Sequence, residues 1–332
     1  MEYLKSLEGK KILISGATGL IGSNIIKEII SYNLHQTKPV KVIAIVRDKE
    51  KAVRLFGNAP EIEYLVCDIQ ALIPSDIGVN YIIHGASQTQ SKAFIDQPVE
   101  TIMTNVNGTV NMLEMAKANN VESFVYLSSM EVYGSPSTDE KIDESYLCNI
   151  DTMSVRSCYP ESKRICENLC ISYLSEYNIP VKIARLTQTF GPGVAYNDGR
   201  VFAEFARDVI ECKDIVLKTK GETKRSYIHL EDTTQAILAI LTLGLNGQAY
   251  NVANESTYCS IFEMAELVVN NFGDKKIKVT VDLSDNPENY GYAPVLKMNL
   301  DTTKLKSLGW HANFDLKKMF EDLISYMRDI KK

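Results

Sequence analysis

The run Lys11-Ile-Leu-Ile-Ser15 leads directly into Gly16-Ala-Thr-Gly-Leu-Ile-Gly22, and a helical pattern follows from residue 23 to about 31. An apolar pentad of this kind is a short buried strand, and glycines at its carboxyl end allow a tight turn with close backbone approach. A strand that feeds a helix through such a turn is the opening unit of a parallel sheet. It leaves the helix N-terminus free to face the pyrophosphate of a dinucleotide. The spacing is GxxGxxG rather than the commoner GxGxxG. An ordinary glycine-rich turn is the alternative for the motif alone; the strand before it and the helix after it argue against that.

The rest of the first half keeps the same rhythm. Strand-like runs at 40–46, 62–66, 81–84, 124–128 and 181–186 alternate with helical patterns, notably 99–119 and 161–177. Such alternation predicts an α/β chain with a doubly wound parallel sheet of Rossmann type. The Gly191-Pro-Gly193 turn breaks the pattern. Beyond it come a helix near 201–211, the segment 225–232, a helix to about 243, and then less regular spacing. The expected division is a dinucleotide-binding domain of residues 1–187 plus about 224–254, and a smaller α/β substrate lobe of 188–223 and 255–332. No internal repeat or low-complexity tract interrupts it.

Composition excludes several classes. A net charge of -6 argues against nucleic-acid binding, and no basic cluster opposes that. The first residues are acidic and lack a long apolar core, and no apolar stretch reaches spanning length, so neither a signal peptide nor a membrane segment is expected. The seven cysteines lack CxxC spacing, and Cys166 and Cys170 fit one helix face. His35, His84, His229 and His311 are scattered, so no metal site is expected. The chain reads as a cytoplasmic enzyme.

Its chemistry is carried by two segments about thirty residues apart. The run 124–128 ends in Ser128-Ser129, a strand that delivers a hydroxyl at its carboxyl end. Tyr159 and Lys163, four apart, share a helix face. An ammonium beside a phenol favours the phenolate and lowers its pKa. Hydroxyl, phenol and lysine together form a proton-transfer unit for interconverting alcohol and ketone. The Tyr–Lys spacing alone occurs on many solvated helices; the dinucleotide turn gives it meaning.

Together these features resemble the extended short-chain dehydrogenase/reductases of the nucleotide-sugar epimerase/dehydratase family. The resemblance rests on Gly16 to Gly22, Cys67-Asp68, His84-Gly-Ala86, Asn105 to Leu113, Ser129 to Gly134, Tyr159 to Lys163, Arg185 to Gly191, Arg225 to Asp232 and Leu308-Gly-Trp310. The segment Asn197-Asp-Gly-Arg200-Val-Phe, with Tyr159-Pro-Glu-Ser-Lys-Arg164, looks closest to the UDP-glucuronate decarboxylase branch. The resemblance implies that Ser129 binds the substrate oxygen, Tyr159 exchanges its proton, and Lys163 holds the nicotinamide ribose. It implies that Gly16, Thr18, Gly19, Leu20, Ile21 and Gly22 carry the pyrophosphate, and that Asp68 with Ile69 reads the adenine. Ala86 and Asn105 would line the cofactor channel. Gln188, Arg200 and Arg225 would face the sugar nucleotide, where a guanidinium fork suits phosphate oxygens. For both arginines a structural salt bridge is the alternative. The helices at 99–119 and 161–177 would pair two subunits into a homodimer.

Three positions depart from the family pattern. Val46 stands where NAD users carry an acid or amide for the adenosine ribose. With Arg47 beside it, the cofactor, NAD(P) in general, is expected to be NADP, unless Asp48 reaches the ribose. Gln188 replaces the more usual Asn. Met130 replaces the Asp that precedes the catalytic Glu in dTDP-glucose dehydratases. Glu131 fits two roles, a catalytic acid/base or a solvated loop carboxylate; if the strand continues through it, it points the same way as Ser129.

Two enzymatic readings and one non-enzymatic reading follow. The first is internal redox, with a hydride taken and returned in one turnover by a 4-epimerase, decarboxylase or dehydratase. The second is a net NADPH-dependent reductase of a nucleotide-linked keto-sugar. The third, a dinucleotide sensor, has no use for a proton relay.

Overall fold

The computed structural model describes residues 2–72, 74–274, 276–283 and 295–331. Its large sheet takes β1 (Lys11–Ser15), β2 (Lys41–Val46), β3 (Ile62–Val66), β4 (Tyr81–His84), β5 (Ser123–Ser129) and β6 (Val181–Leu186). After β7 (Gln188–Phe190), β8 (Ile215–Leu217) and β9 (Lys224–His229), the chain adds β10 (Ala249–Val252) to the same sheet. The order is β3-β2-β1-β4-β5-β6-β10, with every pairing parallel. The order reverses between β1 and β4, and in such sheets ligands bind at the carboxyl ends beside that switch.

Alternation along the strands makes two cores. Leu13, Ile43, Ile82, Phe124 and Ile183 face helices Pro98–Ala118 and Cys158–Tyr177, where Met112, Cys166 and Cys170 meet them. Cys166 and Cys170 are fully buried there, on the shared helix face their spacing predicts. Ile12, Ile14, Val42, Val125 and Ala184 face the other way, toward helices Leu20–Asn33 and Leu230–Leu243. Burial on both faces is why these strands read as continuous apolar runs rather than alternating ones.

The second lobe is built on β9, which pairs with β7, β11 (Asn254–Ser260) and β13 (Lys297–Met298). A separate pair joins β8 to β12 (Val279–Val281). Phe190, Phe202, Phe205, Tyr227 and Phe320 fill its core. The division expected from the sequence needs one correction, since 224–229 belongs to this lobe and only the following helix and β10 return to the large sheet. The cause is non-local. β7 lies one residue beyond β6, and its register with β9 pairs Gln188 with Tyr227. Thr187, the residue between, stitches the two sheets: its N–H donates to Val252 O at 3.1 Å and its hydroxyl to Ser226 O.

Among the described residues, no helix is long and apolar enough to cross a membrane.

Candidate active site

The turn after β1 is set by packing as much as by the need to bind. Gly16 has φ +71°, and a Cβ there would lie 2.7 Å from the Gly85 carbonyl carbon and oxygen. The turn therefore lies flat on the segment after β4. Ser15 pins that segment, its Oγ accepting from Gly85 N–H at 3.1 Å and Ala86 N–H at 3.2 Å. The Ser15 hydroxyl proton is left for His84 Nδ1 at 2.6 Å. This assigns the imidazole proton to Nε2, which donates to Thr109 Oγ1 at 3.1 Å; Thr109 in turn donates to Asn105 O at 2.7 Å. Burial first, and the charge of Lys163 second, push the His84 pKa down to about 3, so the ring stays neutral and the chain of bonds stays intact.

A cleft of about 590 Å³ begins at this turn. Gly16, Thr18, Gly19, Leu20, Ile21 and Gly22 line one stretch of it. Arg47, Asp68 and Ile69 line another, and Ala86 lies along the same wall. The cleft continues to Ser129, Glu131, Tyr159 and Lys163, and then to Gln188 and Arg200. These residues fit a dinucleotide. Gly19 caps helix Leu20–Asn33 with no side chain of its own, so the first-turn N–H groups remain free for an anion.

Two expected cofactor contacts differ in the structure. Asn105 does not line the cleft. It is 2% exposed; its Nδ2 donates to Ser162 Oγ and its Oδ1 accepts from Ser87 Oγ, both at 2.8 Å. It braces the cleft wall against the Tyr159 helix. Asp48 caps helix Lys49–Phe56 by accepting from Lys51 N–H at 2.9 Å, which turns its carboxylate to the helix rather than to a ribose. Lys51 joins Arg47 on the cleft wall, a contribution that the sequence reading missed. Asp68 lines the cleft while capping the turn Ile69–Ala71 through Gln70 N–H at 2.8 Å.

Ser129 ends β5 in extended geometry, and the chain then turns into the short helix Met130–Tyr133. The strand does not continue to Glu131, whose N–H instead donates to Ser129 Oγ at 3.2 Å. Tyr159 is 7% exposed and its ring stacks on Phe94, with centroids 4.3 Å apart and planes 12° apart. Lys163 Nζ lies 5.8 Å from the Tyr159 ring centroid and donates to Leu127 O at 2.9 Å. Burial lowers the Lys163 pKa to about 8, against the opposing charges of Cys166 and Glu167.

The expectation that the lysine depresses the phenol does not hold for the protein alone. Burial dominates and raises the Tyr159 pKa, the Glu131 charge adds to the rise, and the hydrogen bond with Ser129 opposes both. Glu131 is partly exposed but not free: Arg156 holds it with two nitrogens, at 2.8 and 3.3 Å.

Farther along the cleft, Gln188 lines it with its buried Oε1 unbonded among the described residues. Arg200 also lines it, clamped to Asp198 through Nε at 3.0 Å and Nη2 at 2.7 Å. Burial works to raise Asp198, but those bonds and the Arg200 charge hold its carboxyl below the usual range. The salt-bridge alternative for Arg200 is thus present in the same side chain that faces the cleft. Arg225 lies on β9 away from the cleft lining, and its buried Nε is unbonded among the described residues.

Beneath the relay, Glu167 accepts from Ser128 Oγ at 2.6 Å and from Arg185 at 3.0 and 2.7 Å, while Arg185 Nη1 donates to Tyr133 Oη at 3.0 Å. This network ties the end of β5 to the Tyr159 helix. Sequence reading missed it, although Glu167 stands one helical turn beyond Lys163.

The model of the NAD dependent epimerase/dehydratase family matches residues 12–253. The UDP-glucuronic acid decarboxylase 1 of Xenopus tropicalis is 26% identical over 330 residues, covering 99% of this chain and 74% of that protein. The UDP-glucuronic acid decarboxylase 5 of Arabidopsis thaliana is 29% identical over 313 residues, covering 93% of this chain and 86% of that one. Among solved structures, the UDP-glucuronic acid 4-epimerase of Bacillus cereus, in complex with UDP-glucuronic acid and NAD, superposes with a TM-score of 0.78 at 19% identity. That match covers 96% of this chain and 99% of the epimerase.

Proposed function

The chain belongs to the NAD dependent epimerase/dehydratase family, and from that premise we propose that it remodels the sugar of a nucleotide sugar by hydride transfer to and from a bound nicotinamide cofactor. The observation that carries this is the convergence of Ser129, Tyr159 and Lys163 on the cleft that begins at the Gly16–Gly22 turn. When bound, the nicotinamide supplies the hydride acceptor and donor. The chain supplies the rest: Ser129 holds the sugar oxygen, Tyr159 takes and returns its proton, and Lys163 holds the ribose. Gln188 and Arg200, both on the cleft wall, serve the sugar nucleotide. UDP-glucuronic acid is the first substrate proposed, because decarboxylases named for it align along nearly the whole chain.

A second reading, a net NADPH-dependent reductase, is favoured by one cluster. Val46 offers no acid to repel a 2′-phosphate, Asp48 is committed to its cap, and Arg47 and Lys51 both line the cleft. The working unit proposed is a cytoplasmic homodimer.

Purified protein should be incubated with UDP-glucuronic acid and a panel of other nucleotide sugars, with and without added NADPH, while NAD(H) and NADP(H) are titrated separately. Product without added reductant supports internal redox. Product only with NADPH selects the reductase. No product from any sugar nucleotide under either condition would overturn the proposal.

A further inference from the structure

One ion pair beside the relay has no part in that scheme. Arg156, in the turn Val155–Ser157, grips Glu131 with both terminal nitrogens, and the two side chains are 22% and 26% exposed. The same guanidinium lies 5.8 Å from the Phe94 ring centroid, and Phe94 lies flat on Tyr159 at 4.3 Å. Cys158 ties the two segments together by donating to Phe94 O at 3.3 Å. Carboxylate, guanidinium, ring and phenol are thus linked in series, from three separate stretches of chain.

We propose that Arg156 is a positioning residue for the proton relay: by holding Glu131 as a paired carboxylate beside Tyr159 and backing the Phe94 stack, it sets the pH at which the phenol gives up its proton. The inference rests on the reading of Tyr159 as the proton-exchanging group. A phenol that must become an anion is opposed by a second anion nearby, and a guanidinium locked on that anion relieves the opposition. β5 brings the Ser129 hydroxyl and the Tyr126 ring, the short helix after it brings Glu131, and the turn before Tyr159 brings Arg156. Lys163 comes from the phenol's own helix. The Phe94 helix contributes an uncharged ring, its Lys92 and Asp96 pairing with each other at the surface. Burial is the largest influence on the phenol, but among the charges Glu131 raises its pKa and Arg156 lowers it.

The consequence for Glu131 is specific. Both of its oxygens are engaged by the fork, so any proton it exchanged would be taken up on an oxygen already bonded to Arg156. In the resting arrangement it acts on the reaction through the phenol.

The test follows Tyr159 ionisation by tyrosinate absorbance with oxidised nicotinamide cofactor bound, as the difference from Tyr159→Phe, together with the pH profile of turnover. Arg156→Met should move the ionisation to higher pH by about one unit, tenfold in proton concentration. Arg156→Lys keeps the charge without the fork and should recover part of that shift. Glu131→Gln should move it to lower pH. Loss of structure alone would expose the phenol and bring it down toward about 10 in every variant. An unmoved or lowered midpoint in Arg156→Met, or a raised one in Glu131→Gln, overturns the proposal. If the wild-type phenol ionises above the range the protein tolerates, Glu131→Gln must bring it into range, and failure to do so overturns the proposal equally. The optical titration needs no sugar, so a protein inactive on every nucleotide sugar would sink the proposed function while still measuring the role of Arg156.

Discussion

Tyr159 carries the most direct expectation at the scale of single residues. Tyr159→Phe keeps the ring that stacks on Phe94 and removes only the exchangeable proton, so turnover should fall by roughly 10²–10⁴. Ser129→Ala should also fall severely while cofactor binding is retained. Near-normal rates in the Phe variant would refute the relay. Lys182 gives a different expectation. It is buried on β6, its ammonium donates to Ser123 Oγ at 2.7 Å, and burial lowers its pKa to about 8 from 10.5. Below about pH 8 both folded and unfolded chains hold the proton and the folded state bears the full cost of burying it. Between about pH 8 and 10.5 only the unfolded chain binds it, so stability rises with pH across that window. Lys182→Met should raise the denaturant midpoint at neutral pH and reduce the rise toward alkaline pH; Lys163, lowered the same way, keeps part of it. An unchanged slope in the variant would refute this. Tyr159 and Lys163 were readable from the sequence because their relation is local, one helical turn. Phe94, Arg156 and Lys51 were not, since no spacing in the chain announces a stack or a fork made between distant segments.

The Ser128–Glu167–Arg185 network governs the fit of one element on another. Arg185 and Glu167 side chains are 15% and 11% exposed, so removing the guanidinium leaves a carboxylate buried without its partner. Arg185→Met should cost about 3–5 kcal/mol of stability, the usual result of breaking a buried pair from one side. Urea midpoints would measure it, and a loss below about 1 kcal/mol would mean that water or Ser128 compensates. The parallel strands, their helices and the glycine turn were readable because burial on two faces writes continuous apolar runs into the chain. The sheet to which β9 belongs was not, because pairing with β7 and β11 is a choice among distant partners. The same limit hid the end of β5: alternation would carry Glu131 along the strand, whereas its N–H closes on Ser129 Oγ and turns the chain away.

For the whole molecule, the adjoining helices Pro98–Ala118 and Cys158–Tyr177 leave Val99 63%, Met103 44% and Ile165 46% exposed. Apolar side chains gathered on one helix pair are what a second copy would cover. Light scattering should give a dimer mass, and a concentration-independent monomer would refute it. The remaining consequence lies in Thr187. The chain passes between the two sheets there, again where β9 meets helix Leu230–Leu243, and again at Ala253 between β10 and β11. Neither lobe is a contiguous piece of polypeptide, so no single cut of the chain separates one from the other. Melting one strips strands or helices from the other. Calorimetric and van't Hoff enthalpies should therefore agree for a single transition per subunit, and two separated heat-capacity peaks would show that the interleaved lobes lose their order independently.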